Sequence, residues 1–335
     1  MGKYTLSRIS SIFRKFGGFR LLKSYARLGV LGIVIKECSL GLIRRRPLNQ
    51  IYDSYQPQIL KALRGQYMSF MLEKLTENYD KSLPHNRSNI VWFCWLQGIE
   101  NAPLIVRICF ESLKKNLIGK EIRIIDESNR QQYVTFPDYI ENRWKKKQIP
   151  PAQFSDLLRL ELLIKYGGTW IDSTVLCTGF KSSKVQKFKD CLDADLFFFQ
   201  YKHDKDARYA GVSNWFITSC QNNPMLMTLR DMLYSYWKDY DCVLEYFIFH
   251  RFFDMIAAER PKEVMAMPYA YSPNSLALGH NWDKSFKQLT WGKLVSEVAF
   301  HKLSYKNVDS LMNDKTNYFS YIIREYGVFI ETKAM

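Results

Sequence analysis

Ile59, Leu63, Tyr67 and Phe70 recur at helical spacing, which predicts a helix over residues 44–88 with one buried face, closed by Pro84 and its polar surroundings. The pattern then changes, because residues 89–95 run apolar without a break, as a strand covered on both faces does. A helical pattern follows Pro103 as far as Asn116, and residues 121–126 alternate and end on an acid, so the order is strand, helix, strand. Helices are predicted near 137–147 and over 153–166, with the chain broken between them at Pro150-Pro151. Gly167-Gly168 stops the second helix, and the β-branched and aromatic residues of 169–175 predict a strand with Asp172 inside it. Strands over 195–201 and 214–219 and helices over 224–238 and 244–259 complete the alternation. The fold class is α/β, with ligands expected outside the carboxyl ends of the strands.

Composition narrows the picture. The 335 residues are 47% hydrophobic and 24% charged, the balance of a folded chain long enough to bury a large core. The seven cysteines are odd in number and contain no C-x-x-C pair, which argues against a zinc ribbon or a disulfide framework and for a reducing compartment.

Charge is distributed unevenly. Residues 1–46 hold eleven basic side chains (Lys3, Arg8, Arg14, Lys15, Arg20, Lys23, Arg27, Lys36, Arg44, Arg45 and Arg46) against Glu37 alone, a net +10 of the chain's +15. A cationic leader on a near-balanced body suits a tether to an anionic surface better than nucleic-acid binding, for which no motif is present. The apolar run 28–43 contains Lys36 and Glu37 and falls short of the ~20 residues that cross hydrocarbon, so it is not expected to span. Basic residues ahead of it and the lack of a small-x-small site behind it argue against a cleaved signal peptide. Ile9, Ile12, Phe13, Phe16 and Phe19 fall at helical steps, fitting either a helix in a lipid interface or a stripe packed on the protein's own body. The chain thus reads as a basic leader (1–46), a helical extension (47–88) and a core domain (89–335).

The candidate chemistry is concentrated in residues 154–174. Asp156 and Arg159 are three apart, so on a helix they share a face and serve either as an ordinary ion pair or as an anion and a cation offered to one ligand. Asp172 stands in apolar surroundings, where a carboxylate needs a cation, hydrogen bonds, a metal or a ligand to offset its burial.

This block, Ser155-Asp156-Leu-Leu-Arg159 followed by Tyr166-Gly-Gly-Thr-Trp-Ile-Asp172, resembles the S-D-x-x-R and Y-G-G-x-[WY]-x-D motifs of glycosyltransferases that include fungal initiating mannosyltransferases and the catalytic domains of clostridial toxins. It is most similar to the branch of capsular polysaccharide synthesis proteins. Ile90-Val-Trp-Phe-Cys-Trp-Leu-Gln-Gly-Ile-Glu-Asn-Ala-Pro103 resembles that branch's opening strand, and His301-Lys-Leu-Ser-Tyr305 its closing motif. Three ordered blocks between about residues 89 and 306 make a specific match, where any one of them alone is weak.

The resemblance implies a GT-A-like fold, with a Rossmann-type nucleotide-sugar-binding sheet and flanking helices, that transfers a sugar from a nucleotide-sugar donor, UDP-sugar favoured, onto a glycan or lipid-linked glycan acceptor, with retention at the anomeric carbon. It implies that Trp95 stacks on the nucleobase, Asp156 binds donor-sugar hydroxyls, Arg159 binds sugar or phosphate, and Asn214 faces the sugar. Asp172 matches the first acid of a metal-binding D-x-D, but Thr174 stands where the second, metal-bound acid belongs. Mn²⁺ and Mg²⁺ prefer anionic oxygen, so this departure puts the divalent metal in question, with His301 as the candidate compensating ligand. The leader implies a cytoplasmic protein peripherally bound to the inner face of an anionic membrane. A non-catalytic membrane- or polyanion-binding protein on a degenerate glycosyltransferase fold is the alternative.

Overall fold

The structure, a computed structural model, describes residues 18–81, 83–201, 211–306 and 308–331. Ile9, Ile12, Phe13 and Phe16 of the predicted leader helix lie outside the described residues. The chain divides into two units, one of residues 1–82, 136–158 and 224–259, the other of residues 83–135, 159–223 and 260–335.

The first unit is helical. Its described part opens with α1 (Phe19–Arg27), α2 (Leu31–Ile43) and the long α3 (Leu48–Asp80). Ile51, Ile59, Leu63, Tyr67, Met71 and Leu75 form the buried stripe of α3. Met71 takes the place expected of Phe70, which is only half-buried, because the regular step of four continues from Tyr67 to 71. The leader residues described here pack on their own unit: Tyr25, Val30 and Val34 are buried. Arg27 donates to Asp239 Oδ1 at 3.0 Å, and Tyr67 Oη donates to the other carboxylate oxygen of Asp239 at 2.8 Å. Arg20 sits 3.9 Å from the Asp241 carboxylate. Phe19, Ile35, Leu42 and Ile43 remain exposed on the same leader. Among the described residues no helix is long and apolar enough to cross a membrane.

The second unit carries the sheet. β1 (Ile90–Cys94), α4 (Leu104–Asn116) and β2 (Glu121–Ile125) form the expected strand, helix, strand unit. After α5 (Arg130–Tyr133) the chain passes through the first unit in α6 (Asp138–Lys145) and the first half of helix α7 (Pro151–Tyr166), whose second half leads into β3 (Gly168–Ile171), β4 (Val175–Cys177), α8 (Ser183–Leu192), β5 (Leu196–Gln200) and β6 (Val212–Ser219). The five-stranded sheet runs β2-β1-β3-β6-β5. Its β2–β1 and β1–β3 pairings are parallel, whereas β3–β6 and β6–β5 are antiparallel. The expected α/β class is what the chain adopts.

The strand predicted over 169–175 is two strands. β3 ends at Ile171, Asp172 to Thr174 turn, and β4 pairs with a strand of a second sheet, β7 (Phe300–Lys302). Asp172 therefore lies just past a strand end, where its backbone N–H still donates to Trp215 O at 2.8 Å. Sequence alternation does not register the break, since Ile171 and Val175 flank it with the same apolar character.

Gly168 makes the β1–β3 contact possible. Its φ is +94°, and a Cβ there would lie 2.3 Å from Ile90 O, so only glycine lets β3 start against β1. The indole of Trp92 closes the same corner by donating to Gly167 O at 2.9 Å. The core beneath is aromatic: Phe199 stacks on Trp215 at 4.5 Å, and Phe300 of β7 packs on Phe216 of β6 at 4.8 Å, joining the small sheet to the large one. Each such ring adds about 1.5–3 kcal/mol by leaving water.

His301, beside Phe300 on β7, is fully buried, and its Nε2 meets Thr178 Oγ1 at 3.3 Å. Burial pushes its pKa down from 6.5 to about 4, so the folded chain holds it neutral while the unfolded chain protonates it below 6.5. The unfolded state then binds the extra proton between these values, and stability falls as pH drops through that window, by roughly 3 kcal/mol when complete. We expect the melting temperature of the chain to fall from pH 7 to pH 4.5, and that of His301→Gln to fall less. Equal pH dependence of the two proteins would assign the acid sensitivity to another group.

Candidate active site

The parallel strands β2, β1 and β3 end on the same side of the sheet, and the predicted site residues Trp95 and Asp172 lie just past two of these ends. This is where an open α/β sheet leaves room for a ligand, because the chain there turns away from the sheet. Arg159 reaches the same place from α7. Asp156 is buried one turn before it on that helix, and the division between the two units falls between them, after Leu158.

Asp172 is the centre of a charged cluster. Lys302 Nζ lies 3.0 Å from its Oδ2, Arg159 Nη2 lies 3.6 Å from its Oδ1, and the Trp170 indole donates to Oδ1 at 2.9 Å. Burial pushes the carboxyl up, but Lys302, Arg159 and the indole together outweigh it and hold the group below its ordinary value, so it is ionised at neutral pH. Arg159 is itself fixed on three sides, since its guanidinium sits over the Trp170 ring at 4.9 Å and donates to the backbone carbonyl of Asn214. Asn214, the first residue of the strand predicted over 214–219, lies two residues inside β6, and its carbonyl is what meets Arg159.

Thr174 Oγ1 accepts a hydrogen bond from Lys302 Nζ at 2.6 Å, and Thr174 O accepts one from Leu303 N at 2.8 Å. The turn and the end of β7 are thereby locked together. Because successive strand residues face opposite sides, Lys302 reaches Asp172 and Thr174 while His301 points into the core toward Thr178. The structure thus brings Lys302, rather than His301, to the acid. Lys302 stood inside the quoted closing motif, but only the pairing of β7 with β4 reveals which of the two neighbours faces the site.

Trp95 is half-buried and meets Tyr305 edge to face at 5.2 Å, so the opening and closing blocks converge. Its buried Nε1 has no hydrogen-bond partner among the described residues. Cys94 lies within electrostatic reach of Arg159 and Asp172, and burial pushes its thiol up to about 12, so it stays protonated and is no nucleophile at neutral pH.

The donor set does not fit a divalent metal. Asp172 is already paired with two cations, Thr174 is a neutral hydroxyl committed to Lys302, and no group of three or more His, Cys, Asp or Glu side chains among the described residues is arranged to hold an ion. What the cluster offers is a carboxylate held between a guanidinium and an ammonium, with a half-buried indole just past the end of the neighbouring strand.

Among solved structures, one titled PaToxG Glycosyltransferase is similar, at 17% identity over 60% of this chain and 79% of that chain, with a TM-score of 0.35, too low to equate the two folds. No curated protein matches the chain. The family description capsular polysaccharide synthesis protein matches residues 42–322, which include all three sequence blocks and every residue of the charged cluster. The chain belongs to the capsular polysaccharide synthesis protein family.

Proposed function

We propose that the chain is a GT-A-like glycosyltransferase that moves a sugar from a nucleotide-sugar donor, UDP-sugar favoured, onto a cell-surface or capsular polysaccharide or its lipid-linked precursor. The observation that carries this reading is the meeting of Arg159, Asp172 and Lys302 at the carboxyl ends of the parallel strands, with Trp95 beside them. Trp95 offers a face to the base, the cations face the diphosphate, and Asp156 accepts hydrogen bonds from the sugar. In the reaction the bond from the anomeric carbon to the β-phosphate oxygen breaks with its electron pair on the nucleoside diphosphate. A bond to the acceptor hydroxyl oxygen forms, and that hydroxyl's proton passes to the departing phosphate oxygen. A front-face displacement, with retention, needs no protein nucleophile; the chain supplies placement and charge.

The leader supports a location at the inner face of an anionic membrane. Lys36, Arg44 and Arg45 are exposed on or beside the helix that exposes Ile35, Leu42 and Ile43, a combination of charge and apolar surface suited to lipid headgroups. Arg20 and Arg27 are already engaged with Asp241 and Asp239, so they contribute less.

Asp172→Asn should lower sugar transfer by about 100-fold or more, since it removes the charge that positions both cations while keeping the shape of the side chain. Turnover of the natural donor at the wild-type rate would remove Asp172 from the site. Trp95→Ala should weaken nucleoside diphosphate binding by about 1–3 kcal/mol in calorimetry, the range for loss of base stacking; unchanged affinity would place the base elsewhere. In vesicle co-sedimentation, the triple variant Lys36→Gln/Arg44→Gln/Arg45→Gln should lose part of the binding to anionic lipid, at about 1 kcal/mol per residue, and the wild-type protein should release as salt rises. Binding that ignores lipid charge would leave the leader as a purely internal packing element.

A further inference from the structure

We infer that Lys302 is a built-in cation that takes the part of the divalent metal in this site and binds the donor's diphosphate directly. The inference rests on the nucleotide-sugar reading above and specifies its electrostatics. In the D-x-D motif that this chain resembles, the metal belongs with the second acid, at the position of Thr174. Here an ammonium bridges that position and the first acid, 2.6 Å from Thr174 Oγ1 and 3.0 Å from Asp172 Oδ2.

Two features argue that this ammonium faces a ligand and is more than a lock between the turn and β7. An ammonium has three N–H donors, and Asp172 and Thr174 take two, leaving the third without a partner among the described residues. The pair keeps a path to solvent, with the side chains of Lys302 and Asp172 22% and 25% exposed. A divalent ion added between Asp172 and Thr174 would meet the ammonium already placed there, and the repulsion that makes this position poor for metal makes it good for phosphate.

The consequence for the reaction is specific. As the glycosidic C–O bond breaks, its electron pair arrives on the β-phosphate oxygen, and the third N–H of Lys302 with the Arg159 guanidinium receives that charge. The proton that reaches the departing oxygen is the acceptor hydroxyl's, so Lys302 acts through its charge and not as a proton donor.

The test is calorimetry of the full chain with UDP, GDP and CDP, in EDTA and in Mn²⁺. For the wild-type protein, at least one nucleoside diphosphate should bind with the same affinity in both. Lys302→Gln should weaken that binding in EDTA by about tenfold or more, which is about 1.4 kcal/mol, and Lys302→Arg, which keeps the charge, should retain most of it and so control for folding. The double variant Lys302→Gln/Thr174→Asp, which restores the second acid and removes the ammonium, should bind better in Mn²⁺ than in EDTA. Wild-type binding that requires Mn²⁺, or Lys302→Gln binding in EDTA as tightly as wild type, would overturn the inference while leaving the glycosyltransferase reading in place. If none of the three nucleotides binds wild-type protein in either condition, the nucleotide-sugar reading itself fails and the inference fails with it.

Discussion

The turn from Asp172 to Thr174 is the constraint on which the rest of the site depends. Three residues carry the chain from β3 in the large sheet to β4 in the small one, and each end is held by backbone bonds: Asp172 N to Trp215 O at 2.8 Å, Val175 N to Asp172 O at 3.0 Å. The carboxylate cannot retreat from its half-buried position without breaking this ladder. It is therefore held where it must be neutralised, and Arg159 comes to it from shortly upstream and Lys302 from far downstream in the sequence. A long helix, a strand end and a three-residue strand near the C-terminus are brought into one cluster by the need to compensate one charge.

The aromatic residues keep that cluster in place. Trp170 serves Asp172 as a donor and Arg159 as a ring to lie over, so one indole orients both halves of the ion pair. Phe216 and Phe300 fix β7 against β6 from below, which sets the height at which Lys302 leaves the strand. Packing thus does the positioning, and the ion pairs act on groups that are already close. This suits chemistry in which fixed charges meet a changing one, because little reorganisation is needed when the charge moves.

Much of this was legible in the sequence, and the reasons for the rest are physical. Strands over 89–95, 121–126 and 195–201 were readable because continuous or alternating apolar runs bounded by turns have few other folded solutions, and they appear within a residue or two at each end. Arg159 and Asp172, which the structure brings within 3.6 Å of each other, were nameable from the motif block that holds both. The split of the strand after Ile171 was not, because a change of sheet leaves no mark in local hydrophobicity. Lys302 was passed over for His301 for a related reason: which of two neighbours faces a site depends on strand pairing across more than a hundred residues of sequence. The leader's two readings were equally open, and α1 and α2 now show its described part packed through Tyr25, Val30 and Val34 while its exposed cations leave the surface reading standing as a proposal.

A three-residue strand fixes its own register poorly, since few hydrogen bonds distinguish one alignment from the next. In β7 the side chains supply what the backbone lacks. A slip by one residue against β4 would swap the two faces of the strand, sending the Lys302 ammonium to the buried side on which His301 meets Thr178 and leaving the carboxylate of Asp172 without it. Burying an unpaired ammonium in the core is far costlier than the correct alignment. The charge at the site therefore also acts as a proofreader of the fold, since the alignment of β7 that answers Asp172 is the one that keeps the ammonium out of the core.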